Sequence, residues 1–290
     1  MQVIASIVIY ILTIVEINGP LTYDEMNIGG ALAIRSLSEV LELIYSGVHR
    51  LTNTQHTLSS LTAFTAMSLF GKNEWVMRSA SLPYALLFLI VAIRFCRKFI
   101  PTGFSIFIFA NILVNQNILF YLHSARGFIS MLLFSLLSLT ILLDVSENRF
   151  PSSRKNYISF SLVYFFLILT NTNGGLFALY LFLTLLTWTL FNHSNIPKES
   201  LKTYKTFLRL MALNLPLFFM GALRETQVQA GLAQLHGSNP EWNFGTMGYL
   251  LGWDRIWWSK LFLFFCVSLF LFRINKFDIK KDFLTLFLSV

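Results

Sequence analysis

Two adjacent carboxylates, Asp24 and Glu25, follow the first apolar stretch of the chain, in Leu21-Thr-Tyr-Asp-Glu-Met26. A carboxylate there can deprotonate an acceptor hydroxyl or amine, or ligate a divalent cation. Partial desolvation at a bilayer face raises a carboxylate pKa towards neutrality, which a general base needs. The plain alternative is a pair of solvated acids at the end of a span. Farther along, Glu74 and Arg78 stand four apart in Phe70-Gly-Lys-Asn-Glu-Trp-Val-Met-Arg-Ser79. On a helix that spacing allows an ion pair, which would fix the loop to the helix start without doing chemistry. Arg126 lies in Tyr121-Leu-His-Ser-Ala-Arg-Gly-Phe128, a short turn between two apolar runs. Its guanidinium offers forked donors suited to a phosphate, or it snorkels to lipid headgroups.

Weaker candidates accompany these. His56 and His123 fall in the same set of loops but lack metal-ligand spacing, and Asn171-Thr-Asn-Gly-Gly175 offers amides to a headgroup. The chain contains no Walker sequence, no Gly-x-Ser-x-Gly, no His-Glu-x-x-His and no Cys/His ligand set.

The elements that must position these residues are membrane spans. Hydrophobic residues make up 55% of the chain and charged ones 12%, with 30 Phe among 290 residues. That charged share is about half that of an ordinary soluble domain. Mean hydropathy is +0.63. One soluble core could not hide so much apolar surface. The net charge of +8 does not indicate nucleic acid, because the bases form no run with interleaved aromatics. Cys96 and Cys266 are too few for a disulfide framework. Residues 3–18 lack a basic leader and a small-residue cleavage site, so they read as a retained signal anchor.

Spans are expected at roughly 2–18, 79–95, 103–121, 127–143, 157–170, 174–191, 206–222 and 257–273, with a last apolar run from about 283. The fold class is therefore all-α: a polytopic bundle of about eight or nine transmembrane helices forming one membrane domain over 1–290. With the N-terminus in the cytoplasm, most of the 22 Lys and Arg residues fall in short cytoplasmic loops. The long loops at 19–78 and 223–256 then face outward. In the first, Ile34, Leu37, Leu41 and Ile44 recur at helical spacing over 31–45. Leu58, Leu61, Phe64 and Met67 do so over 57–70, ending at Gly71 as a C-cap. Two amphipathic interfacial helices are expected there. The second loop holds Trp242, Trp253, Trp257 and Trp258, read as interfacial anchors rather than a sugar-stacking surface.

Taken in order, these motifs resemble the N-terminal part of the C-type membrane glycosyltransferases, nearest the bacterial protein mannosyltransferase and aminoarabinose transferase groups. The acidic pair after the first span matches Asp24-Glu25, and Phe70, Gly71, Glu74 and Arg78 match a Phe-Gly-x-x-Glu-x-x-x-Arg entry to the second span. His56 remains from a His-Pro-Pro-like start, Ser124-Ala-Arg-Gly-Phe128 stands for a Glu-Ala-Arg-x-Tyr-like turn, and Thr170-Asn-Thr-Asn-Gly174 echoes a Thr-Lys-x-x-Gly-like turn. The chain departs from the pattern at Thr57-Leu58 for Pro-Pro, Ser124 for the acid, Phe128 for Tyr and Asn for the turn Lys. The match runs from about residue 1 to 190. Family members are longer, so the resemblance implies a chain truncated at its C-terminus.

The resemblance implies transfer of a sugar from a polyprenyl-phosphate donor to a lipid, glycan or protein acceptor, at the outer face of a bacterial inner membrane. Asp24 would be the base and Glu25 its support, in an inverting single displacement. Arg126 would bear on the donor phosphate, with His56, Glu74, Arg78 and His123 on the substrate side. No cofactor is implied beyond a possible divalent cation, whose ligands the sequence leaves open. Two other readings remain: an inactive scaffold, and a carrier-lipid transporter, which the lack of charges in mid-span disfavours.

Overall fold

The computed structural model describes residues 2–16, 36–40, 57–99, 122, 127–146, 153–191, 196 and 198–235. Asp24, Glu25, His56, His123 and Arg126 lie outside the described residues, as do the expected spans at 103–121 and 257–273, the run from 283 and the Trp cluster. Within the described residues the structure is helical, with no strand. The helices are α1 (Gln2–Glu16), α2 (Thr57–Phe70), α3 (Glu74–Ser79), α4 (Leu82–Phe99), α5 (Phe128–Ser146), α6 (Arg154–Thr170), α7 (Thr172–Phe191) and α8 (Lys198–Leu235).

Three stretches among the described residues are long and apolar enough to cross a membrane: Glu74–Phe95, Phe128–Val145 and Asn173–Phe191. They mark the chain as a membrane protein. The outer surface agrees, since Ile4, Leu190, Phe191 and Leu213 are all exposed. Apolar side chains on that scale face a lipid solvent without cost.

Local chemistry accounts for the helix boundaries. Ser36 and Glu39 form a capping box, in which the Glu39 carboxylate accepts from the Ser36 amide at 2.6 Å and from its hydroxyl at 2.7 Å. Within the stretch 31–45 where the spacing predicts a helix, the described residues form a helical turn over 37–40 behind this cap. Helix α2 covers 57–70 as the spacing predicts, and Gly71 follows it at φ +105 with its amide on the Met67 carbonyl. Asn73 caps α3 by accepting from the Val76 amide at 2.9 Å. The chain pauses at Ala80-Ser81 before α4, because Pro83 has no amide to offer the Ser79 carbonyl.

Helix α6 is central. It packs on α2, α5, α7 and α8, and its Phe160, Tyr164 and Leu167 are fully buried. The main core joins these to Leu142 and Val145 of α5, Leu181 and Trp188 of α7, and Tyr204, Phe207 and Met211 of α8. Aromatic contacts fix the layers: Phe160–Phe207 at 4.3 Å, Trp188–Tyr204 at 4.8 Å and Phe134–Phe166 at 5.5 Å between centroids. A smaller cluster, Ile9, Ala85, Leu89, Leu122 and Ile129, ties α1 to α4 and α5.

Asn171 alone separates α6 from α7. Its extended backbone ends α6, and its side-chain oxygen accepts from the Gly174 amide at 2.8 Å to start α7. Helix α8 runs through Pro216 to Leu235. The stretch 223–235, expected as the start of an outer loop, is therefore helical. Its Glu, Gln, Ala and Leu content favours a helix.

Candidate functional site

The described part of the site is a hydroxyl-rich junction where α2, α3, α4 and the start of α5 meet. Ser59 and Thr62 come from α2, Met77 from α3, Ser81 and Tyr84 from the α4 side, Gly127 from the turn before α5 and Ser130 from α5. Among the serines, Ser59, Ser81 and Ser130 are buried. A hydroxyl in an apolar surrounding must find an acceptor. Ser81 donates to the Arg78 carbonyl at 2.7 Å and lies 3.3 Å from the carbonyl of Leu122, 41 residues along the chain. Ser130 donates to the Gly127 carbonyl at 2.8 Å, Thr62 to the Leu58 and Ser59 carbonyls at 3.0 Å, and Tyr84 and Thr62 are hydrogen bonded.

Gly127 adopts φ +73. A left-handed backbone there suits glycine and strains any other residue. It lets the chain turn directly into α5, whose first bond is Met131 N–H to the Gly127 carbonyl at 3.1 Å.

The spacing of Glu74 and Arg78 predicts a common face. On α3 the two differ in burial: Glu74 is exposed and Arg78 is 2% exposed. Arg78 is the largest fully buried side chain among the described residues, and it is not a free charge, since it holds contacts of its own. Its burial sets it apart from a simple surface anchor. A guanidinium buried at the start of a span needs compensating acceptors.

The space enclosed by the junction is about 10 Å³, room for about one water molecule. The junction therefore positions the chain segments that pass through it and does not itself hold a sugar. Among the described residues no three His, Cys, Asp or Glu side chains gather to hold a metal. Near the far end of α6, Asn171 is buried. Its oxygen is committed to capping α7, and its Nδ2 has no partner among the described residues.

The spacing of candidate residues does not single out Ser59, Thr62, Ser81, Tyr84 or Ser130. The available signal is a small polar residue inside an otherwise apolar stretch, where its hydroxyl must turn inward.

Compared with known proteins, the chain matches no family model, no curated protein and no solved structure.

Proposed function

We propose that the chain is a C-type membrane glycosyltransferase that moves a sugar from a polyprenyl-phosphate donor to an acceptor at the outer membrane face. One observation carries this reading. Ser59 follows His56 by three residues, Leu122 precedes His123, and Gly127 follows Arg126. The described neighbours of three candidate residues thus meet at the Ser81 junction, beside buried Arg78. Segments distant in sequence that converge on one end of a bundle are what a substrate site between spans requires.

In this reading Asp24 takes the proton from the acceptor hydroxyl or amine as its lone pair attacks the anomeric carbon. The bond from that carbon to the donor phosphate oxygen breaks with inversion. Arg126 stabilises the negative charge that develops on the leaving phosphate. Glu25 supports the base. His56, Glu74, Arg78 and His123 belong to the substrate side. A divalent cation could bind the acidic pair, and no step above depends on it. The full set of eight or nine spans, with the N-terminus cytoplasmic in a bacterial inner membrane, is the architecture this function calls for.

The test is sugar transfer in membranes carrying the full chain, with a labelled polyprenyl-phosphate sugar as donor. Asp24→Asn should lower transfer by at least about a hundredfold, as loss of a general base does. Transfer that continues unchanged sinks the assignment of Asp24.

A further inference from the structure

A groove of about 400 Å³ opens between α6 and α8, lined by Arg154, Tyr157, Ile158, Ser161, Leu162 and Leu210. That volume lies in the range of small-molecule sites, about 300–1,000 Å³. The groove shares no lining residue with the junction at Ser81. It begins at the first residue of α6, at the opposite end of the bundle from Asn171. Its walls are almost wholly apolar: Ile158 and Leu162 are each 51% exposed. Its one charged residue, Arg154, stands at the mouth and is exposed.

The surroundings of that mouth are basic. Lys155 on α6 and Lys202, Lys205 and Arg209 on α8 are exposed. The pairing of Tyr157 and Phe160 with Phe207 sets the first turns of α8 beside the first turns of α6. Of the acids at this end, Asp144 near the end of α5 is already engaged, and Glu199 stands in the first turn of α8, ahead of those three bases on that helix. An apolar slot headed by a cation, on a bundle whose exterior faces lipid, is complementary to one class of occupant. That occupant has a negative headgroup and a hydrocarbon tail.

We propose that this groove binds an anionic phospholipid of the surrounding bilayer, with the phosphate at Arg154 and one acyl chain along Ile158, Leu162 and Leu210. From Arg154 to Leu162 the helix rises about 12 Å, enough to seat the upper part of an acyl chain. Ser161 sits in the groove floor and is held by Asn214, whose Nδ2 donates at 3.3 Å to its hydroxyl and at 2.8 Å to the Leu210 carbonyl. That bond keeps the floor flat between the two helices.

The experiment is retention of added lipid by the full chain purified in mild detergent, read by native mass spectrometry. The probes are phosphatidylglycerol and phosphatidylcholine with the same acyl chains. The unaltered chain should retain phosphatidylglycerol at least about fivefold better, the worth of one basic contact to an anionic headgroup. Arg154→Gln should remove that preference while leaving phosphatidylcholine retention as it was. Ile158→Trp, which fills the slot and keeps Arg154, should lower retention of both lipids. Equal retention of the two lipids by the unaltered chain overturns the proposal, and so does a preference that survives Arg154→Gln. Inorganic phosphate that displaces the lipid at millimolar concentration also overturns it, because the site would then be one for a free anion.

Discussion

The Tyr164 hydroxyl donates to the Ala178 carbonyl at 2.6 Å, joining α6 to α7 through two fully buried residues. The bond crosses the tight pair at its middle, where no water can substitute. Tyr164→Phe removes the donor and leaves the Ala178 carbonyl its own helical partner. The expected loss of stability is about 0.5–1.5 kcal/mol, the range for a hydrogen bond between membrane helices. Unfolding of the purified variant in detergent or bicelles measures it, and an unchanged midpoint would show that the hydroxyl does not hold the pair together.

At the Asn171 end of the same pair, Gly175 is pressed against the Phe218 ring of α8, so that an added Cβ would strike the ring. Gly175→Ala should therefore cost about 1–3 kcal/mol by overpacking. Phe218→Leu made in the same chain should recover part of that cost. A double-mutant cycle reads the coupling directly, and strictly additive effects would rule out the contact as the cause.

Tyr204 is buried against Trp188 at the basic end of the bundle, ahead of the apolar stretch of α8. Burial pushes its phenol up to about 12 from the ordinary 10.0. A raised folded-state pKa means that the neutral form is favoured in the fold. The stabilisation is then fully present below the unfolded pKa and is lost as pH rises through the folded one. Between about pH 10 and about pH 12 the chain should lose stability faster than Tyr204→Phe does. Thermal midpoints of the two chains, followed with tyrosinate absorbance, check this. Parallel curves would mean that Tyr204 titrates normally.

How much of this was legible in the sequence depends on the solvent. Apolar runs located the helices well: the expected spans at 157–170 and 174–191 fall within α6 and α7, and that at 127–143 overlaps all but its first residue with α5. What periodicity could not show is which face turns inward. In α2 the spacing pointed to Leu58, Leu61, Phe64 and Met67, yet Leu61 and Phe64 are only half-buried while Ser59 and Ser60 are buried. In water the hydrophobic effect would sort those faces. Against lipid it does not, and small residues that allow close approach take the inner side. Gly175 against Phe218 follows the same rule.

The capping box at Ser36 and Glu39 was readable as a Ser-x-x-Glu pattern. For the site, Glu74 and Arg78 are the candidate residues that the structure describes, and it gives them opposite surroundings. Spacing of four reports the angle around a helix but not what packs on each side. Burial of Arg78 comes from neighbours that a linear pattern does not contain.

The single-residue connection at Asn171 bears on how the protein is made. A link this short offers no slack, so in the proposed architecture of eight or nine spans neither α6 nor α7 can enter a bilayer while the other waits outside. The two must leave the insertion machinery as one hairpin. Arg154 and Lys155 at one free end and Lys198 beyond the other then lie at the same end of that hairpin. Separating the helices with a long polar linker at Asn171 would convert one insertion event into two.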